Sequence, residues 1–160
     1  MSEERGGTLD VLLIEDNPGD ARLAEEAFKD GASKAPNNLH LVVDGVEAMR
    51  FLRREGEHDA SPRPNIILLD LNLPLKDGRE VLGEIKTDSE LKLIPVIVMT
   101  TSHAESDILK SYELQANAYL TKPIDFDEFM GVAEATQSFW LQAAELPPNG
   151  ESQRSSDAAG

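Results

Sequence analysis

The sequence predicts a doubly wound α/β domain in which five parallel strands alternate with five helices. Three observations carry that expectation. Four short, unbroken apolar runs (Val11–Ile14, Ile66–Leu69, Val96–Met99 and Ala118–Leu120) suit strands buried on both faces, as in parallel sheets. Between them lie longer stretches whose apolar residues recur at helical spacing. With 160 residues, the chain has the length of one domain with a core of its own and no room for a second full domain.

Residues 1–8 read as a flexible leader, and the first strand spans about Asp10 to Ile14. Asn17 then offers a helix cap and Pro18 suits a first helical turn. Ala21, Leu23, Ala24, Ala27 and Phe28 supply the apolar stripe of the first helix, with Gly31 as its stop. A polar loop through Pro36-Asn37-Asn38 leads to a second strand at Leu39–Val43. Asp44-Gly45 opens a second helix with Val46, Met49 and Leu52 on one face, and residues 55–64 form a charged, proline-containing loop. The third strand covers Asn65 to Leu69. After the loop Leu71-Asn72-Leu73-Pro74, a third helix starts at Asp77-Gly78 and turns Val81, Leu82 and Ile85 inward. Pro95 precedes the fourth strand, where proline is tolerated. A fourth helix is expected over about Glu105–Leu114 and a fifth strand over Asn117–Leu120. A fifth helix, from near Asp125, carries Phe126, Phe129, Met130, Val132, Ala133 and Trp140. The domain then occupies residues 9–145, and the Ser/Pro/Gly-rich 146–160 reads as a disordered acidic tail.

Composition narrows the function. Thirty acids against fifteen bases give a formal charge of −15, which repels nucleic acid and anionic membrane surfaces. The absence of cysteine removes disulfides, thiolate chemistry and cysteine metal sites. No secretory signal and no membrane-length apolar run is present, so a cytoplasmic location is expected. His40, His58 and His103 lie on separate segments without ligand spacing, and no glycine-rich nucleotide loop occurs.

The strand ends carry the chemistry. Ligands of open α/β sheets bind outside the carboxyl ends of the strands, and there the four runs end on Glu15-Asp16, Asp70, Thr100 and Thr121-Lys122-Pro123. Three carboxylates gathered in a cleft of reduced dielectric repel one another, so either one keeps a proton or a cation sits among them. A hard, oxygen-only set without His or Cys suits Mg²⁺. A carboxylate beside a metal can act as a nucleophile toward phosphorus, and Asp70 is the candidate because its strand should be central. Lys122 would neutralise phosphoryl oxygens, and Thr100 would donate a hydrogen bond to one of them. Singly, an acid after a strand is a solvated loop residue and a lysine before proline a surface charge. Their joint arrival at one edge is what favours chemistry.

These motifs, in this order and spacing, resemble the receiver domain of two-component response regulators over about residues 9–140. The matching pieces are Glu15-Asp16, Asp70-Leu-Asn-Leu-Pro-Leu-Lys-Asp-Gly78, Val98-Met-Thr100 and Tyr119-Leu-Thr-Lys122-Pro123. The resemblance implies a flavodoxin-like strand order, 2-1-3-4-5. It implies that Asp70 accepts a phosphoryl group from a sensor histidine kinase or a histidine phosphotransfer protein. Glu15, Asp16 and Asp70 would hold Mg²⁺ together with the main-chain carbonyl of Asn72. Thr100 would be the switch hydroxyl, Tyr119 the aromatic that turns inward with it, and Lys122 the phosphate contact, its bond to Pro123 cis. Such a protein is a phosphoacceptor that assists its own phosphorylation and dephosphorylation, not an enzyme of turnover. The segment from Tyr112 to Pro123 is most similar to stand-alone regulators of the phytochrome-associated type.

Two positions depart from the family pattern. Thr101 replaces a smaller residue after the switch hydroxyl, and Gln115 replaces a glycine before the fifth strand, so Asn117 is expected to take the left-handed turn conformation. Only about 15 residues follow the fifth helix, so output is expected through protein contact or phosphate relay. The face of the fourth helix, fifth strand and fifth helix would serve a target or a second copy by that resemblance; Phe139, Trp140 and Leu141 either pack on the domain's own edge, the favoured reading, or add an apolar docking patch there. Alternatives are a phosphate sink without its own target and an aspartyl-phosphate phosphohydrolase. The latter is disfavoured because Asn72 stands where such enzymes carry a second acid.

Overall fold

The computed structural model describes residues 8–30, 37–101, 116–123 and 125–142. Five parallel strands, β1 (Leu9–Ile14), β2 (Asn37–Val42), β3 (Ile66–Leu69), β4 (Val96–Thr100) and β5 (Ala118–Thr121), form one sheet in the order β2-β1-β3-β4-β5. The helices are α1 (Pro18–Asp30), α2 (Gly45–Arg53), α3 (Gly78–Thr87) and α4 (Phe126–Gln142), the last being the fifth helix of the sequence reading. The helix expected over 105–114, the turn at Gln115, the stop at Gly31, the leader 1–7 and the tail 146–160 lie outside the described residues, as do the side chains of Phe139, Trp140 and Leu141.

Side chains alternate across the sheet with period two, so β1 to β4 each feed two cores. Leu12 and Ile14 of β1 join Ile67, Leu69, Val96 and Val98 beneath α2 and α3, against Met49, Leu52, Val81, Leu82 and Ile85. Leu9, Val11 and Leu13 join Ile66, Leu68 and Met99 on the other face, against Ala24, Ala27 and Phe28 of α1 and Phe129 and Ala133 of α4. Every residue of the central strand β3 is buried, and each such side chain contributes roughly 1.5–3 kcal/mol relative to exposure. The fourth apolar run differs from expectation. As β5 it forms an edge of the sheet, with Leu120 37% exposed and Thr121 exposed, because it has a strand neighbour on one side only.

Short polar residues start the helices where the sequence places them. Asn17 Oδ1 accepts from Asp20 N–H at 2.9 Å, Asp44 Oδ1 from Glu47 N–H at 2.7 Å, and Asp125 Oδ1 from Glu128 N–H at 2.9 Å. At α3 the bonds are reciprocal: Asp77 accepts from Arg79 N–H and Glu80 Oε1 accepts from Asp77 N–H. Two helix-opening glycines lock loops together. A Cβ on Gly45 would lie 2.0 Å from the Lys76 carbonyl oxygen, and one on Gly78 would lie 2.4 Å from the Asp70 carbonyl oxygen.

Asn117 does not take the left-handed conformation; among the described residues only Arg54 and Leu75 are non-glycine with positive φ. Instead its N–H donates to the Val96 carbonyl at 2.8 Å, and its Oδ1 accepts from Val96 N–H at 2.8 Å and from Lys86 Nζ at 3.2 Å. The side chain extends the β4–β5 pairing by one rung, which needs extended rather than turned backbone. Leu75, at φ 67° and 81% exposed, combines a backbone cost of about 1–2 kcal/mol with an apolar side chain left in water.

Asp88 follows α3 and accepts from Glu90 N–H at 2.8 Å and Leu91 N–H at 3.0 Å, organising the 3₁₀ turn Leu91–Leu93. The bonds from Leu91 and Glu90 hold its carboxyl below the ordinary value of 3.8. A depressed folded value means this stabilisation is present above the unfolded value and is lost as pH falls through the folded one. Asp88→Ala should therefore cost about 1 kcal/mol in urea unfolding at neutral pH. The gap from wild type should narrow below pH 3.8; a gap that persists undiminished into stronger acid would contradict this.

Candidate functional site

Strand register sets the site. Ile14 pairs with Leu69, so the next residues, Glu15 and Asp70, leave the sheet side by side; Asp70 N–H donates to the Ile14 carbonyl at 3.1 Å. Thr100 pairs with Thr121, and Lys122 N–H donates to the Thr100 carbonyl at 2.9 Å. Side chains from β1, β3, β4 and β5 thus meet at the carboxyl edge. The ammonium of Lys122, 7% exposed, lies at the centre. Nζ is 2.9 Å from Asp70 Oδ2, 2.9 Å from Glu15 Oε1 and 3.0 Å from Asp20 Oδ2. Its three donors are matched by three carboxylates.

The remaining bonds fix the orientation of the acids. Asn72 N–H donates to Asp70 Oδ1 at 3.0 Å, and Asn17 N–H donates to Glu15 Oε2 at 3.0 Å. Asn72 Nδ2 donates to Thr100 Oγ1 at 3.2 Å, which links the β3 loop to the end of β4. That loop returns to α3 through Gly78, whose N–H donates to the Leu71 carbonyl at 2.9 Å and whose lack of a Cβ lets the helix start rest on Asp70.

Glu15, Asp16, Asp70, Asn72, Thr100 and Lys122, expected from sequence to share one site, do come together around this edge. Asp16 is the exposed member of the acidic set, while Glu15, Asp70 and Thr100 are buried. Tyr119 pairs across from Val98 and packs partly buried against the α2–α3 core. Thr101 is exposed. The expected cis bond before Pro123 is not found, since no peptide bond among the described residues is cis. The trans form is the intrinsically favoured one, and with it Lys122 already reaches all three acids. Sequence reasoning missed Asp20 altogether. The Asn17 cap fixes Asp20 in the first turn of α1, but its contact with Lys122 is a tertiary one that no local pattern announces.

Burial pushes the Glu15 carboxyl up to about 7, against the opposing pull of the Lys122 and Asn17 hydrogen bonds, and the nearby Asp70 charge adds to the rise. Burial would lower Lys122, but its bonds to Asp70, Glu15 and Asp20 more than reverse this and hold it above the ordinary lysine value. The ammonium therefore stays charged at neutral pH. One carboxylate oxygen from each of Glu15, Asp16 and Asp70 lies within 4.8 Å of the others. An anionic all-oxygen set at that spacing fits a hard divalent cation.

Replacing Lys122 by methionine leaves Glu15, Asp20 and Asp70 without their cation. Lys122→Met should lose about 3 kcal/mol in urea unfolding, and saturating MgCl₂ should recover part of the loss. A variant as stable as wild type without divalent cation would show that the ammonium does not hold the site together.

Comparison with known proteins agrees with this geometry. The model of the response regulator receiver domain family matches residues 11–134. The chain is 49% identical over 147 residues to Response regulator Rcp1 of Synechocystis sp., covering 92% of this chain and 99% of that protein. The crystal structure of the Mn²⁺-bound form of Rcp1 matches with a TM-score of 0.78 at 49% identity, over 88% of this chain and 99% of that one. The phosphorylated cyanobacterial phytochrome response regulator RcpA matches with a TM-score of 0.81 at 47% identity, over 89% of this chain and all 100% of that one. With a family match across most of its length, the receiver strand order and the acid–lysine cluster at the carboxyl edge, the chain belongs to the response regulator receiver domain family.

Proposed function

We propose that this receiver takes a phosphoryl group on Asp70 from a phosphohistidine of a sensor histidine kinase or phosphotransfer protein. A carboxylate oxygen of Asp70 attacks phosphorus, the P–N bond to the donor imidazole breaks, and its electron pair returns to the ring nitrogen. An acyl phosphate remains on Asp70. Phosphoryl transfer depends on positioning and charge neutralisation more than on covalent machinery. The bonds from Asn72 N–H and Lys122 supply the positioning by fixing both oxygens of Asp70.

Glu15, Asp16 and Asp70, with the main-chain carbonyl of Asn72, would hold Mg²⁺. Bound there, the ion offsets the repulsion between carboxylates and the incoming phosphoryl oxygens. Lys122 would exchange its Asp70 contact for a phosphoryl oxygen. Thr100 would turn its hydroxyl from the Asn72 side chain toward the phosphate, and Tyr119 would follow into the space left. Asn72 lacks the acid proton that ester hydrolysis requires, so signalling is favoured over turnover. The readout is a shift between two conformational populations.

The similarity to RcpA supports a phytochrome-type kinase upstream. We assign the outgoing contact, with a target or a second copy, to the face of β5 and α4, where Leu120 is 37% exposed. A cytoplasmic location accords with the absence, among the described residues, of any helix long and apolar enough to cross a membrane. The observation that carries the reading is the direct contact of Lys122 with Asp70 inside the acidic cluster.

Incubation with acetyl phosphate and Mg²⁺ should raise the intact mass by one phosphoryl group, and omission of Mg²⁺ should suppress the labelling. Asp70→Asn should stay unmodified. Labelling of that variant to the wild-type extent would move the acceptor elsewhere.

A further inference from the structure

Lys122 and the acidic cluster share two carboxylates, and each has one that the other lacks. Among the described residues, the oxygens placed for a divalent cation belong to Glu15, Asp16 and Asp70, while the Lys122 ammonium is held by Glu15, Asp70 and Asp20. Asp20 is therefore the one partner of the ammonium that stands outside the cation set. Its origin differs too: Glu15 and Asp70 follow strands, whereas Asp20 lies in the first turn of α1. That turn is a firm support. Asn17 caps it, the Asn17 carbonyl accepts from Ala21 N–H at 2.9 Å, and Ala24, Ala27 and Phe28 fix the helix in the core. The Asp20 side chain is 26% exposed against 3% for Glu15 and 5% for Asp70, so it meets the ammonium from the solvent side.

A lysine ammonium sits on a flexible stem, and holding it in one place costs side-chain entropy. Three carboxylates supply that hold here. Glu15 and Asp70 cannot serve a divalent cation and also keep their full share of the ammonium. The carboxylate left to Lys122 is then Asp20. We infer that Asp20 is a positioning residue for phosphoryl transfer, keeping the Lys122 ammonium beside Asp70 while Glu15 and Asp70 turn to the cation and the phosphoryl group. Asp20 touches neither of these and acts through Lys122. Its own negative charge opposes an incoming phosphoryl group, so the direction of its effect separates positioning from repulsion. The inference rests on Asp70 being the acceptor.

Two readouts on the full chain test it. One is the rate of intact-mass labelling by acetyl phosphate at saturating Mg²⁺, in which an Asp70 oxygen takes the phosphoryl group as the P–O bond to acetate breaks. The other is the Lys122 ammonium signal in ¹⁵N-edited NMR, assigned by its loss in Lys122→Met. Asp20→Ala should slow labelling about tenfold, and Asp20→Asn, which keeps a neutral acceptor, should slow it less. Without Mg²⁺ the ammonium signal should survive in both variants, because Glu15 and Asp70 still hold it. With Mg²⁺ it should survive in wild type and disappear in Asp20→Ala. Both variants should fold as wild type does, since the Asn17 cap uses the backbone N–H of Asp20, which either substitution keeps. Labelling of Asp20→Ala within about twofold of wild type, or faster, overturns the proposal. Slowing with the ammonium signal intact in Mg²⁺ also overturns it, by making Asp20 a support of the helix start, as does a wild-type signal that vanishes with Mg²⁺. Absence of label on wild type, or full labelling of Asp70→Asn, would instead overturn the assignment of Asp70, and this inference with it.

Discussion

The contact between the Lys122 ammonium and the carboxylates of Glu15, Asp20 and Asp70 is the interaction on which the site depends. At an effective dielectric near 20, each pair near 3 Å gains about 5 kcal/mol of gross attraction, while burying each charge costs several kcal/mol. The two nearly cancel, so the arrangement is one of balance more than of stability. The acids still outnumber the base once Asp16 is included, which leaves a negative excess that a divalent cation relieves. A phosphoryl group adds negative charge to the same hollow. Under the proposed function, Lys122 would trade a carboxylate oxygen for a phosphoryl oxygen without losing its charge.

The sheet makes that balance geometric. Parallel strands deliver their carboxyl ends to one edge, and the pairings Ile14–Leu69 and Thr100–Thr121 bring Glu15 beside Asp70 and Lys122 beside Thr100. Gly45 and Gly78 then let the β2–α2 turn, the β3 loop and the start of α3 pack in direct backbone contact. Asn72 couples this loop to Thr100, so a change at the Asp70 carboxylate has a path of hydrogen bonds to β4 and, through register, to Tyr119. The coupling is physical contact between neighbours and needs no long-range device.

Much of this was legible in the sequence. The apolar runs of β1, β3 and β4 mark buried parallel strands directly, and Asn17, Asp44 and Asp77 mark helix starts because short acceptors satisfy the free N–H groups there. The acids, threonine and lysine follow from strand ends. What escaped depends on tertiary context. Asp20 belongs to a helix, and only the docking of α1 above the sheet turns it toward Lys122. The Asn117 side chain extends the sheet pairing, which no local turn rule anticipates. The exposed edge character of β5 is not in its run composition and follows only from the strand order, which came through the family resemblance and is the one observed. The strain at Leu75 is likewise invisible in a sequence where the residue reads as one more apolar loop position.

The central claim is that acids distant in the chain form one cation-holding hollow with Asp70 at its base. Paramagnetic broadening by substoichiometric Mn²⁺ in amide NMR spectra tests it most directly. The signals of Asp16, Asp70 and Asn72 should vanish first, those of Glu90 and Lys92 should stay sharp, and excess Mg²⁺ should restore the lost peaks. Broadening centred elsewhere, or none at the carboxyl edge, would contradict the account.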